Sequence, residues 1–246
     1  MNKIPSTFFL SSKTCRRKSL LDEYYQTHHQ HRDLSNAKDK KKKTSFFRKK
    51  MEDFKTKKNF PLIGIDLGCR GGAFTEQFFD LAQWHGVDID QQSLFMAQKK
   101  GLPISHMDIS VNIDFQDNSF HFILLTEVLE HLPYPPITIK EIHRIIKKGK
   151  EEGYFFGSVP IDYNINQKIK VMRGKRLEID PTHLHSFSFR ELDTLLKHYF
   201  HQVDYLPLHG RASKHIWLSF NHFVRDIAWV AKRPKEKTSP WKIRLI

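Results

Sequence analysis

Short apolar runs that end in acids, glycines or prolines set the pattern of this chain. The first is Leu62–Leu67, which breaks into Gly68-Cys69-Arg70-Gly71-Gly72. Such a run predicts a buried strand that turns sharply into a helix. That helix is expected over Ala73–Ala82, with Phe74, Phe78 and Leu81 on one side. Trp84–Asp90 reads as a second strand and Gln91–Lys100 as a helix stopped by Gly101. Ile104–Ile109 reads as a short third strand. Phe120–Thr126 is almost continuously apolar, as in a central strand buried on both faces. Glu127–Leu132 begins a helix or turn that Pro133, Pro135 and Pro136 interrupt.

Ile137–Lys148 is predicted as a helix and Tyr154–Val159 as the fifth strand. Residues 161–182 read as polar and irregular. Ser188, with Glu191 three residues on, predicts a capped helix that runs to Tyr199. Val203–Leu208 and Ile227–Lys232 are the last strands. Between them, Lys214–Arg225 repeats apolar residues at helical spacing. It fits a lid, a membrane-surface contact or a plain packing helix. The alternation predicts a parallel α/β sheet with helices on both faces.

Upstream, Ser45–Lys58 places Phe46, Phe47, Met51 and Phe54 near one helical face. Residues 1–44 are polar and basic and read as a disordered leader. The expected organisation is this leader, one domain over 45–234, and a tail over 235–246.

Charge sharpens that division. Residues 1–60 carry 17 Lys and Arg against 6 Asp and Glu, most of the net +14 of the 246-residue chain. The folded part is close to balanced, so it is not a strongly basic nucleic-acid surface. Residues 1–60 can still attract nucleic acid or an anionic membrane without sequence preference. The lysine run Lys40–Lys43 reads as a solvated tail, and so does the His28-His29-Gln30-His31 cluster, which has no closed metal-site spacing. The 2 cysteines, Cys15 and Cys69, make no disulfide framework. A reducing, cytoplasmic setting is expected, although a transit peptide would have the same leader composition. No apolar run reaches the roughly 18 residues of a membrane span.

The acids at the strand ends carry the chemistry. Asp88 closes the second strand, where a carboxylate can accept both hydroxyls of a ribose. Asp108 follows the third. A nicotinamide turn needs Gly-x-Gly-x-x-Gly, and the order here is Gly68-x-x-Gly71-Gly72. Asp66 just before the turn is unfavourable beside a pyrophosphate. It suits a ligand that bears positive charge, such as S-adenosylmethionine.

Four segments resemble the class I S-adenosylmethionine-dependent methyltransferases, of the small-molecule and ubiquinone-methyltransferase-like type. They are Ile65–Gly72, Gly86–Asp90, His106–Ile109 and Phe115–Leu132, within a resemblance that covers about residues 60–206. The resemblance implies a Rossmann-like, seven-stranded, mostly parallel sheet whose last strand is antiparallel. It implies S-adenosylmethionine as methyl donor and no metal. Gly68, Cys69 and Gly72 would meet its methionine part, Asp88 its ribose, and Asp108 with Ile109 its adenine. Asp66, Arg70, Ile89, Thr126 and Glu127 would complete the donor site. Two positions depart from the family pattern. Arg70 replaces a glycine, and it would either face solvent or crowd or pair with the donor's carboxylate. His121 replaces an Asp whose role is structural.

Glu127, His131 and His183 are the candidate bases for an acceptor that needs one. No Asn/Asp-Pro-Pro-Tyr and no Pro-Cys follows the fourth strand, which argues against nucleic-acid base methylation. The expected acceptor is a small or lipid-like molecule, methylated on O, N or C. Two alternatives stand beside it: an RNA or protein methyltransferase guided by the leader, and a non-catalytic binding protein of the same fold. The sequence does not set the oligomeric state.

Overall fold

A computed structural model describes residues 37–162, 165–175, 180, 182–208, 224–236 and 238. Its centre is a seven-stranded sheet, ordered β3-β2-β1-β4-β5-β7-β6. The strands are β1 Ile63–Leu67, β2 Gln83–Asp88, β3 Ile104–His106, β4 Phe122–Thr126, β5 Tyr154–Pro160, β6 Phe200–Leu208 and β7 Asp226–Pro234. β1 to β5 pair in parallel. β7 lies between β5 and β6 and is antiparallel to both. The sheet is therefore mostly parallel with an antiparallel last strand, as the resemblance implied. Strand order reverses between β1 and β4, and ligands of open α/β sheets bind at the carboxyl ends beside such a reversal.

The pleat sends successive residues to opposite faces. Ile123 and Leu125 join one buried cluster, with Ile139, Ile142, Leu192 and Leu196 of helices α3 (Pro135–Ile145) and α5 (Phe189–Tyr199). Phe122 and Leu124 join the other, with Leu94 and Ala97 of α2 (Gln91–Lys99). Helix α1, Ala37–Lys55, covers that second face. Its Phe47 ring meets Phe156 at 5.2 Å and its Phe54 ring meets Phe122 at 5.1 Å. The predicted cap holds: Ser188 and Glu191 form a reciprocal capping box at the start of α5.

Several boundaries move. α1 starts at Ala37, not Ser45, so Lys40–Lys43 belong to a docked helix rather than a disordered leader. Docking explains it. Lys50 pairs with Asp204 of β6 at 2.7 Å, and Arg48 with Asp80 at 2.8 Å. The helix expected over Ala73–Ala82 is only a 3₁₀ turn, Thr75–Phe78. There the Thr75 hydroxyl donates to Asp66. The Trp84 indole donates to the Phe78 carbonyl at 2.8 Å, and the chain passes directly into β2. β3 stops at His106, because Asp108 turns the chain by accepting from the Ser110 N–H at 2.9 Å. The prolines do end the Leu129–His131 turn, and α3 starts at Pro135 rather than Ile137, since proline fits the first helical turn. The irregular stretch contains helix α4, Ile165–Met172. The leader up to residue 36 and most of the Lys214–Arg225 segment lie outside the described residues.

Candidate functional site

The turn after β1 is held by its own backbone. Gly68 and Cys69 both donate to the Val87 carbonyl, at 2.7 and 3.0 Å, and Gly72 donates to Cys69 at 2.9 Å. These N–H groups are committed within the protein, so the turn is not the donor cradle that a phosphate needs. Gly68 has φ +80°, and a Cβ there would lie 2.4 Å from Val128 Cγ2. Arg70 also takes a left-handed φ, +46°, which explains why a glycine suits that position. Its side chain is exposed.

Asp88 ends β2 and is buried. Its Oδ2 accepts from the Arg70 N–H at 2.7 Å and its Oδ1 from the Asp90 N–H at 2.9 Å. Burial pushes its carboxyl up, and these two N–H groups offset only part of that rise. Each oxygen keeps a second lone pair for a ligand hydroxyl. Asp90 caps α2 by accepting from Gln92 and Ser93. The neighbouring Ile89 carbonyl accepts from the His106 ring at 2.7 Å.

Asp66 is buried and bonded to Thr75, and burial pushes its carboxyl up to about 7. It braces the turn. Ile109 is packed in the core just after the Asp108 turn. The Cys69 thiol is buried, and burial beside Asp66 and Asp88 raises its pKa far above the ordinary range.

The mouth of β4 is built from distant segments. Thr126 ends the strand, and Glu127 follows it in a left-handed conformation, φ +54°. The Glu127 N–H donates to the Ser158 carbonyl of β5 at 2.9 Å. Lys43 of α1 reaches across: its Nζ lies 3.1 Å from Glu127 Oε1 and 3.0 Å from Ser158 Oγ. The Lys43 side chain is 9% exposed and that of Glu127 43%. Asp226 of β7 stands near this pair; burial, reinforced by Glu127, pushes its carboxyl up to about 7.

Past Glu127 lie the 3₁₀ turn Leu129–His131 and the loop around His183. The two rings of His131 and His183 meet edge to face, 4.8 Å between centroids. His131 is pushed down mainly by burial. His185 donates to the Pro133 carbonyl at 3.0 Å, a purely structural bond. His121 accepts from the Ile63 N–H at 3.1 Å, and burial holds it down at about 4, so its role is structural as expected.

The structure thus gathers Glu127, His131 and His183 on the same side of the sheet as the turn. Sequence reasoning missed Lys43, Ser158 and Glu130. Lys43 carried one legible signal: it stands four residues before Phe47, on the stripe that continues to Met51 and Phe54, all of them buried.

A family model described as a methyltransferase domain matches residues 65–155. The ubiquinone biosynthesis O-methyltransferase of Nitrosococcus oceani is 34% identical over 92 residues. That match covers 35% of this chain and 39% of the relative, so the chain spans well under two thirds of its relative's length. An S-adenosylmethionine-dependent methyltransferase structure from Archaeoglobus fulgidus aligns with TM-score 0.55 at 17% identity, over 78% of this chain and 94% of that one. The N-methyltransferase NodS from Bradyrhizobium japonicum, solved in complex with S-adenosylhomocysteine, aligns with TM-score 0.52 at 15% identity, over 78% and 87%. The motifs, the matched domain and the fold all resemble the class I S-adenosylmethionine-dependent methyltransferases.

Proposed function

We propose that this chain is an S-adenosylmethionine-dependent methyltransferase that acts on a small or lipid-like acceptor at O, N or C. The observation that carries the reading is the pairing of Asp88 with the turn after β1. A buried carboxylate with spare lone pairs suits ribose hydroxyls, while a turn whose N–H groups are spent suits a cationic head better than a phosphate. Glu127 and Asp39 add negative potential at Asp226 beside the β4 mouth, and Lys43 and Arg225 oppose it.

S-adenosylmethionine supplies a methyl group on a sulfonium, which is already a good leaving group. The protein therefore contributes mainly position and exclusion of water. The turn after β1 and Asp88 hold the donor. Lys43 and Ser158 fix the Glu127 carboxylate at the mouth, where the acceptor would enter. His131 has its Nδ1 tied to the Thr182 carbonyl at 3.0 Å, which fixes the orientation of its ring at the mouth. Non-specific attraction of anionic membrane by the basic segment before residue 60 goes with a lipid-like acceptor. A reducing, cytoplasmic setting goes with the free Cys69 thiol.

Transfer of labelled methyl from S-adenosylmethionine into metabolite, lipid, RNA and protein fractions tests this. Label is expected in the metabolite or lipid fraction. Label confined to RNA or protein would replace the acceptor by the leader-guided alternative. No label in any fraction would leave the binding-protein alternative.

A further inference from the structure

Helix α4, Ile165–Met172, is turned inside out. Ile165, Ile169 and Met172 stand at i, i+4 and i+7, which puts them on one helical face. A surface helix normally buries such a stripe and shows its polar face to water. Here Met172 is 85% exposed and Ile169 38%, while the side-chain oxygen of Gln167, on the opposite face, is buried. Val171, off the stripe, is exposed as well. The stretch read as polar and irregular because the stripe exists only once the chain winds into a helix. It also lies outside residues 65–155, which the methyltransferase family model matches.

Cations border the stripe. Helical spacing places Lys168 on one side of it and Arg173 on the other, with Lys175 just beyond. Gly174, at φ +70°, ends the helix, and the Lys175 N–H folds back to the Lys170 carbonyl at 2.9 Å, so these cations stay beside the stripe. No acid stands between Ile165 and Lys175. The position matters too. α4 starts shortly after β5 ends at Pro160, on the edge of the sheet that carries Glu127. Tyr134, at the start of α3, and Leu184 add exposed apolar surface to that edge. Leu184 is held there by its N–H, which donates to the Glu130 carbonyl at 2.9 Å. Nucleic acid would satisfy the cations but leave the stripe in water. A protein partner would cover the stripe but would need its own acids to answer the border. The interface of an anionic bilayer takes both at once: apolar side chains enter it, and long basic side chains reach its headgroups.

We propose that α4 lays the Ile165, Ile169 and Met172 stripe into the interfacial layer of an anionic lipid membrane, with Lys168, Arg173 and Lys175 on the headgroups. One short helix gives weak, reversible binding. This contact differs from the attraction of residues 1–60, which is charge alone, because α4 also buries apolar side chains. The edge that carries Glu127 then faces the bilayer, and a lipid-like acceptor reaches it without crossing water. Only this last step rests on the acceptor proposed above; the docking itself does not.

The test is flotation of the full chain with lipid vesicles. Wild type is compared with the double variant Ile169→Ser and Met172→Ser, which keeps every charge, and with the triple variant Lys168→Ser, Arg173→Ser and Lys175→Ser, which keeps the stripe. Circular dichroism checks that each variant is folded. Wild type is expected to float with phosphatidylcholine vesicles that contain about one third phosphatidylglycerol, and to stay behind with pure phosphatidylcholine. Partitioning should fall by at least about fivefold in each variant. No flotation of wild type would overturn the docking. Flotation unchanged in the double variant would assign the binding to charge alone, the basic leader included, and overturn it too. Self-association of wild type that the double variant loses, without flotation, would give the stripe to a second copy of the chain instead. None of these readouts needs methyl transfer, so failure of the docking and failure of the acceptor reading are told apart.

Discussion

The turn after β1 and the mouth of β4 share one edge of one sheet, yet they are assembled differently. The turn is contiguous in sequence and is fixed by backbone: left-handed residues, a strand carbonyl that accepts twice, and an aspartate bonded to two N–H groups. The mouth is fixed by side chains from α1, β4, β5 and the loop around His183, far apart in the chain. Backbone geometry tolerates little change, whereas a half-exposed ion pair is a weak restraint. The contrast teaches where each kind of damage should appear. Changes in the turn should cost stability and donor affinity together, while changes at the mouth should leave donor binding largely intact.

The largest effect is expected at Gly68. Gly68→Ala adds a Cβ 2.4 Å from Val128 at φ +80°. Left-handed strain and overpacking together should cost about 3 kcal/mol, read from denaturant unfolding. A cost below about 0.5 kcal/mol would mean that the turn is not the rigid member of the pair.

A smaller effect separates the mouth from the turn. Asp204 anchors α1 through Lys50, at 2.7 Å, and it also pairs with Lys232 at 2.6 Å. These two lysines hold its carboxyl down at about 2. The folded value lies below the unfolded one, so its contribution is present in full above about pH 4 and is lost as pH falls toward 2. The group is partly exposed, so Asp204→Asn should cost only about 1 kcal/mol near neutral pH. The difference from wild type should shrink on acidification. Donor affinity should stay within about threefold, because α1 brings Lys43 to the mouth and packs on Phe74, beyond the glycines of the turn. A large loss of donor binding in Asp204→Asn would merge the two regions.

The smallest effect runs the other way. Arg70→Gly relieves a left-handed arginine but loosens the unfolded chain, for a net gain of at most about 1 kcal/mol. A measured loss would show that the Arg70 side chain stabilises the turn beyond its backbone bond to Asp88.

This division also explains what the sequence disclosed. Strands β1, β2, β4 and β5, the glycine turn and Asp88 were legible because period, glycines and terminal acids are local signals. The capping box at Ser188 was local as well. The helix expected over Ala73–Ala82 failed because the tertiary bonds of Thr75 and Trp84 overrode a helical pattern. Lys43 was hidden among identical lysines: its spacing to Phe47 was the one local hint, and docking of α1 on the second face buries it while Lys40, Lys41 and Lys42 stay exposed. Ser158 read as one more strand residue. Glu130 and His183 became partners only when the loop folded back on the Glu130 carbonyl.

Calorimetric titration of the full chain with S-adenosylhomocysteine tests the central claim most directly, run beside Asp88→Ala and Lys43→Met. The account predicts one site per chain, weakened at least about tenfold in Asp88→Ala and little changed in Lys43→Met. Absence of binding at millimolar ligand, or equal affinity in wild type and Asp88→Ala, would contradict it.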